Sequence, residues 1–96
     1  MNKFEIYFSF KEKEDINKTI DKLFSDLGGF TLFSTYGGWI DAKNDNKKML
    51  DRSMKVEVYT DKDDKYITKL CNDIKEICKQ KEVIYYKSKA TKLNKV

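Results

Sequence analysis

Cys71 and Cys78 are the only two thiols in the chain, and no histidine is present to activate them. A nucleophilic thiolate needs an adjacent base or a cationic setting. These two lie seven residues apart on an apolar-periodic stretch. Seven residues of helix span about 10.5 Å, too far for a disulfide. They read as small core residues. The lack of histidine also removes the commonest general base and zinc ligand. Ser9, Ser25, Ser34, Ser53 and Ser88 have no nucleophile-elbow glycines around them. The carboxylates Asp61, Asp63 and Asp64 offer oxygen ligands of the kind Mg²⁺ or Ca²⁺ takes. They immediately precede an apolar-periodic segment, however, where capping a helix is their simpler role. The stretch from Asp41 to Asn46 resembles a calcium loop in composition, but has neither a glycine at its sixth position nor the distal glutamate. The glycine pairs Gly28-Gly29 and Gly37-Gly38 do not follow the strand–Gly–helix pattern of a phosphate cradle. The first pair ends a helical pattern; the second is expected to be a tight turn between strands. The expectation is a chain that is not an enzyme, with no cofactor and no metal.

Positive charge is the next candidate. The net charge is +4, and all of the excess lies beyond residue 65, in a segment with eight lysines against Asp73, Glu76 and Glu82. Lys79, Lys81, Lys87, Lys89, Lys92 and Lys95 form a candidate basic patch for a polyanion. Of 20 basic residues only Arg52 is arginine, the type suited to bidentate phosphate and base contacts. Nucleic acid is therefore the alternative reading.

The elements that must carry these residues follow from periodicity. Residues 3–10 alternate, with Phe4, Ile6, Phe8 and Phe10 on one face and Glu5, Tyr7 and Ser9 on the other, which predicts a half-buried strand. Residues 15–27 place Ile16, Ile20, Leu23 and Leu27 on one helical stripe, with Glu14 and Asp15 at the dipole's positive end and Gly28-Gly29 as the stop. Residues 30–36 are β-branched and aromatic and predict a second strand turning at Gly37-Gly38; Trp39-Ile40 begins either another short strand or an edge segment. Residues 41–48 have turn chemistry and form the most exposed loop. Residues 53–60 alternate again. Residues 64–80 carry Ile67, Leu70, Cys71, Ile74, Ile77 and Cys78 on one stripe, and residues 82–88 form the last strand. This order predicts one α+β domain over residues 1–88. Its sheet is a ferredoxin-like βαββαβ antiparallel arrangement of four or five strands with both helices on one face. Residues 89–96 form a Lys-rich flexible tail.

Gly28-Gly29-Phe30-Thr31, then Gly37-Gly38-Trp39, then the strand from Lys55 to Thr60 make up a Gly-Gly-x-Thr…Gly-x-Trp pattern. In this the chain resembles small bacterial, plasmid and phage α+β proteins. The resemblance implies the fold and a mobile-element origin, and one version of it implies a protein that inhibits a host defence complex. It brings no catalytic residues with it.

Covering one sheet face with two helices leaves the other open. That face carries Tyr7, Phe33, Lys55, Tyr59 and Tyr86, with Trp39 beside them, as the candidate interaction face. Aromatics interleaved with cations stack bases in RNA-recognition domains, but the Gly-aromatic signature of those domains is absent from the third strand. Exposed aromatics on an open sheet also mark protein contacts. The expectation is a non-catalytic interaction module whose partner is another protein or a second copy in a homo-oligomer. No apolar run approaches the length of a membrane span, and the N-terminus alternates instead of forming a signal-peptide core. A cytoplasmic protein, without membrane contact, is expected.

Overall fold

The computed structural model describes residues 1–89 and 94. Its elements run β1 (Asn2–Ser9), α1 (Lys13–Leu27), β2 (Thr31–Asp41), β3 (Lys47–Thr60), α2 (Asp64–Ile77) and β4 (Ile84–Lys89). The four strands form one sheet in the order β2-β3-β1-β4, antiparallel throughout. This is the ferredoxin-like arrangement, with the first and third strands central as right-handed crossovers require. Among the described residues there are four strands and no fifth. Residues 90–93, 95 and 96, which hold most of the expected tail, lie outside the described residues.

Alternation in β1 and β3 builds the core. Phe4, Ile6, Val56 and Val58 are sealed beneath the helices, paired as Phe4↔Val58 and Ile6↔Val56. From α2, Ile67, Leu70, Cys71 and Ile74 close over them, with Cys78 just past its end, and from α1, Leu23. The stripe expected on α1 is rotated. Its most buried positions are Asp15, Thr19 and Leu23, while Ile16 and Leu27 pack only at the margin. Thr19 is tolerated because its hydroxyl donates to the Asp15 carbonyl at 2.8 Å and lies 3.4 Å from the Cys78 sulfur.

Local chemistry sets the helix ends. Gly28 stops α1 with φ of 75°, a conformation that glycine adopts without strain. Asp63 caps α2, accepting the Tyr66 backbone N–H at 2.9 Å on Oδ1. That is the capping role expected of the acidic cluster. Asp63→Ala is expected to lower stability by about 1 kcal/mol, measurable by urea denaturation. At its other end α2 closes sooner than expected. Gln80 N–H donates to the Lys75 carbonyl and Lys79 N–H to that of Glu76, with Lys79 at φ 54°. This reverse-turn cap takes residues 78–80 out of the helix.

Two expectations are corrected at the second strand. Gly37-Gly38 is not a turn, and of the two readings of Trp39-Ile40 the separate short strand fails, since both residues belong to edge strand β2. β2 runs unbroken from Thr31 to Asp41, and the chain reverses at 42–46, where Asp45 and Asn46 take the left-handed conformation that short polar residues tolerate. β3 accordingly starts at Lys47, six residues before the expected position. β1 pairs only with residues 53–60 of β3. Among the described residues, 36–41 and 47–52 therefore pair with each other alone and project as a two-stranded arm. The molecule is 49 Å long and 26–27 Å across.

Candidate interaction surface

Cross-strand partners share a face of the sheet, so the registers place every candidate. Opposite the helices stand Lys3, Glu5 and Tyr7 of β1, Lys55, Glu57 and Tyr59 of β3, Phe33 of β2 and Tyr86 of β4. Tyr7 meets Tyr86 edge-on with ring centroids 5.9 Å apart. The Lys55 ammonium lies 4.4 Å from the centroid of Phe33 and 3.0 Å from Glu57. Lys3 contacts Glu5 at 3.2 Å and Glu57 at 3.8 Å. The centre of the open face is thus a two-by-two ion-pair lattice framed by aromatic rings.

The lattice shifts its own titrations. Lys55's hydrogen bond holds the Glu57 carboxyl below its ordinary value, and the Lys3 charge adds to this. Hydrogen bonds to Glu57 and to Glu5 raise Lys55 and Lys3 respectively. A carboxyl that ionises more readily when folded adds stability above its unfolded pKa, and that stability fades as pH falls through the folded value. Wild type should therefore exceed Glu57→Gln in stability at neutral pH, and the gap should close below the ordinary 4.5. Paired urea titrations at about pH 7 and about pH 3 check this.

Five of the six face candidates, Tyr7, Phe33, Lys55, Tyr59 and Tyr86, are brought together. Trp39 lies on the same side of the ribbon but out on the arm, about 20 Å along β2 from Phe33 at the rise of an extended strand. Other apolar side chains stand with it there. Tyr36 is 68 % exposed, Trp39 47 %, Ile40 63 % and Leu50 70 %. Tyr36, Ile40 and Leu50 line the helix side of the ribbon, and Trp39 and Met49 the other. For Tyr36, Trp39 and Ile40 the signal that could have found them is charge: residues 27–40 hold no Asp, Glu, Lys or Arg in a chain that is 38 % charged.

The described lysines of the basic patch do not join this face. Lys87 and Lys89 lie opposite Phe4 and Asn2, on the helix side of edge strand β4. Lys87 is paired with Asp64. Lys79 and Lys81 follow the end of α2, and Lys92 and Lys95 lie outside the described residues. The two cysteines are buried. Desolvation pushes the Cys71 thiol up to about 11 and raises Cys78 as well, so neither is a ready nucleophile. Among the described residues no group of three or more His, Cys, Asp or Glu side chains could hold a metal ion. No helix among them is long and apolar enough to cross a membrane.

No family model and no curated protein matches the chain. Solved structures do resemble it. A phage SAM lyase in complex with S-methyl-5′-thioadenosine superposes with a TM-score of 0.68 at 14 % identity, over 91 % of this chain and 79 % of that one. CutA1 from Pyrococcus horikoshii gives 0.63 at 15 %, over 95 % and 86 %. A GlnK–ATP complex from B. subtilis gives 0.61 at 10 %, over 92 % and 84 %. An enzyme thus stands among these neighbours beside CutA1 and GlnK. At such identities the likeness establishes one thing, that this chain has the ferredoxin-like α+β fold.

Proposed function

We propose that the protein is a non-catalytic interaction module that binds other protein through the β2–β3 arm and the adjoining open sheet face. The observation that carries this reading is the arm itself. A two-stranded ribbon alone is marginal in water, and this one holds Tyr36, Trp39, Ile40 and Leu50 out in solvent, beyond the core. Apolar side chains gathered on a projecting element are the usual material of a contact surface. The likeness to small phage and plasmid proteins in the Gly-Gly-x-Thr…Gly-x-Trp pattern suggests the process. In this reading the module acts as an oligomer in the cytoplasm and occludes a host defence complex.

The alternative, nucleic-acid binding, is less well supported by the geometry. The lysines among the aromatic rings, Lys3 and Lys55, are tied to Glu5 and Glu57, and the described lysines of the basic patch lie away from those rings. A polyanion would have to displace two carboxylates to reach the face. Nucleic-acid binding predicts affinity that falls steeply with salt.

The deciding experiment recovers a tagged chain from its host and sediments the purified chain alone. A partner or second copy retained in stoichiometric amount, and lost from a Trp39→Ala/Leu50→Ala variant, is the expected result. A strict monomer that retains no protein sinks the reading.

A further inference from the structure

We infer that the outer edge of β2 pairs antiparallel with β2 of a second copy, about a two-fold axis at Gly38, to make one continuous eight-stranded sheet. The inference rests on the interaction reading above and names its geometry. β2 is a sheet edge, and among the described residues nothing pairs with its outer side. Edge strands kept from pairing are short, bulged, or studded with lysine and proline. The other edge, β4, has six residues and carries Lys87 and Lys89. β2 has eleven, without a charge until Asp41.

The glycines point the same way. A glycine inside a strand weakens it, and commonly marks a close approach by another group. Neither Gly37 nor Gly38 has a positive φ, and a Cβ on either would meet only ordinary contacts, 3.9 Å from the Ser53 hydroxyl and 3.6 Å from the Met49 carbonyl. Among the described residues nothing requires glycine here, whereas a strand drawn up against the outer edge would gain from the missing side chains.

Self-complementarity makes that neighbour a second copy. A two-fold contact sets the same strand against itself. An antiparallel pair must also keep both sets of helices on one side, so the axis passes through a residue. Through Gly38, it sets Tyr36 opposite Ile40 of the second copy on the helix side. On the other side Gly37 meets Trp39 of the second copy, an aromatic covering a cross-strand glycine, and Thr35 meets its Asp41. Through Gly37, the axis would instead press Phe33 against Asp41 and Ser34 against Ile40. The Gly38 register pairs apolar with apolar and polar with polar. Tyr36, Trp39 and Ile40, the apolar side chains this register brings to the seam, together expose on the order of 400 Å² per copy, to which the paired backbone of β2 adds. The two together approach the roughly 600 Å² each partner contributes at the lower end of stable interfaces.

Sedimentation equilibrium on the full chain tests this with charge variants at two exposed sites. Wild type is expected at twice the 11.4 kDa chain mass. Tyr36→Glu should weaken the pair by about 30-fold or more, as loss of an interface anchor does. Adding Ile40→Lys should restore most of it. Residues 36 and 40 of one strand lie about 13 Å apart, so only an intermolecular ion pair can give that rescue. Oxidised Tyr36→Cys/Ile40→Cys should run as a covalent dimer, since cross-strand Cα separations of about 5 Å admit a disulfide. A wild-type monomer at about 100 µM, where such an interface would be filled, overturns the proposal. So does a dimer indifferent to Tyr36→Glu. If that monomer still retains a host protein through its arm, the interaction reading survives and only the strand pairing falls. A dimer that responds to the variants but retains no host protein supports the pairing and removes the host target.

Discussion

Phe4→Ala is expected to cost about 3–5 kcal/mol, at the upper end of what a single core truncation removes. Phe4 is fully buried on the central strand β1, between Val58 of β3 and edge strand β4. Its ring lies 6.0 Å from that of Tyr85, centroid to centroid, and the Lys87 ammonium lies 5.9 Å from its centroid. Truncation removes the transfer free energy of the ring and leaves a cavity bounded by paired strands, which cannot easily collapse. A domain of this size has about 5–15 kcal/mol to lose, so the variant should sit near its unfolding midpoint at far lower urea than wild type. A loss under about 1.5 kcal/mol, the scale of a well-tolerated volume change, would mean that the β1–β4 side of the core is misdescribed.

Trp39→Ala should do the opposite: little to folding, much to association. The side chain is 47 % exposed on the arm and contributes nothing to the sealed core. Its removal should shift the urea midpoint by no more than a surface substitution does, about 0.5 kcal/mol. A tryptophan at the centre of a contact is typically worth 2 kcal/mol or more, about 30-fold in affinity. Retention of partner or second copy should fall by that factor, with the circular dichroism spectrum unchanged. The two variants together separate the body of the molecule from its arm. A Trp39→Ala protein that unfolds easily would show that the ring is packed within its own chain. One that binds undiminished would remove the arm from the contact surface.

Much of this molecule was legible before any coordinates. Phe4, Ile6 and Phe8, and later Met54, Val56 and Val58, alternate because one side of each strand meets helices, and a period of two is a local property. Gly28 and Asp63 announce helix ends for equally local reasons: one tolerates a positive φ, the other offers an oxygen to a free N–H. Tertiary structure decided what depends on distant partners. Gly37-Gly38 has the composition of a turn, yet pairing with Asp51 and Leu50 of β3 carries the strand through it and creates the arm. The stripe of α1 drew the eye to Ile16 and Ile20, but the crossing with α2 and the sheet buries Asp15 and Thr19 instead. Lys55 and Glu57 were placed correctly on the open face by alternation alone. That Lys3 and Glu5 complete a charge lattice with them was fixed only when β1 and β3 took their register. Sequence determines which side of an element is apolar, because that is written in nearest-neighbour spacing. Which edges and tips remain uncovered is a property of the assembled sheet, since exposure depends on residues far away in the chain.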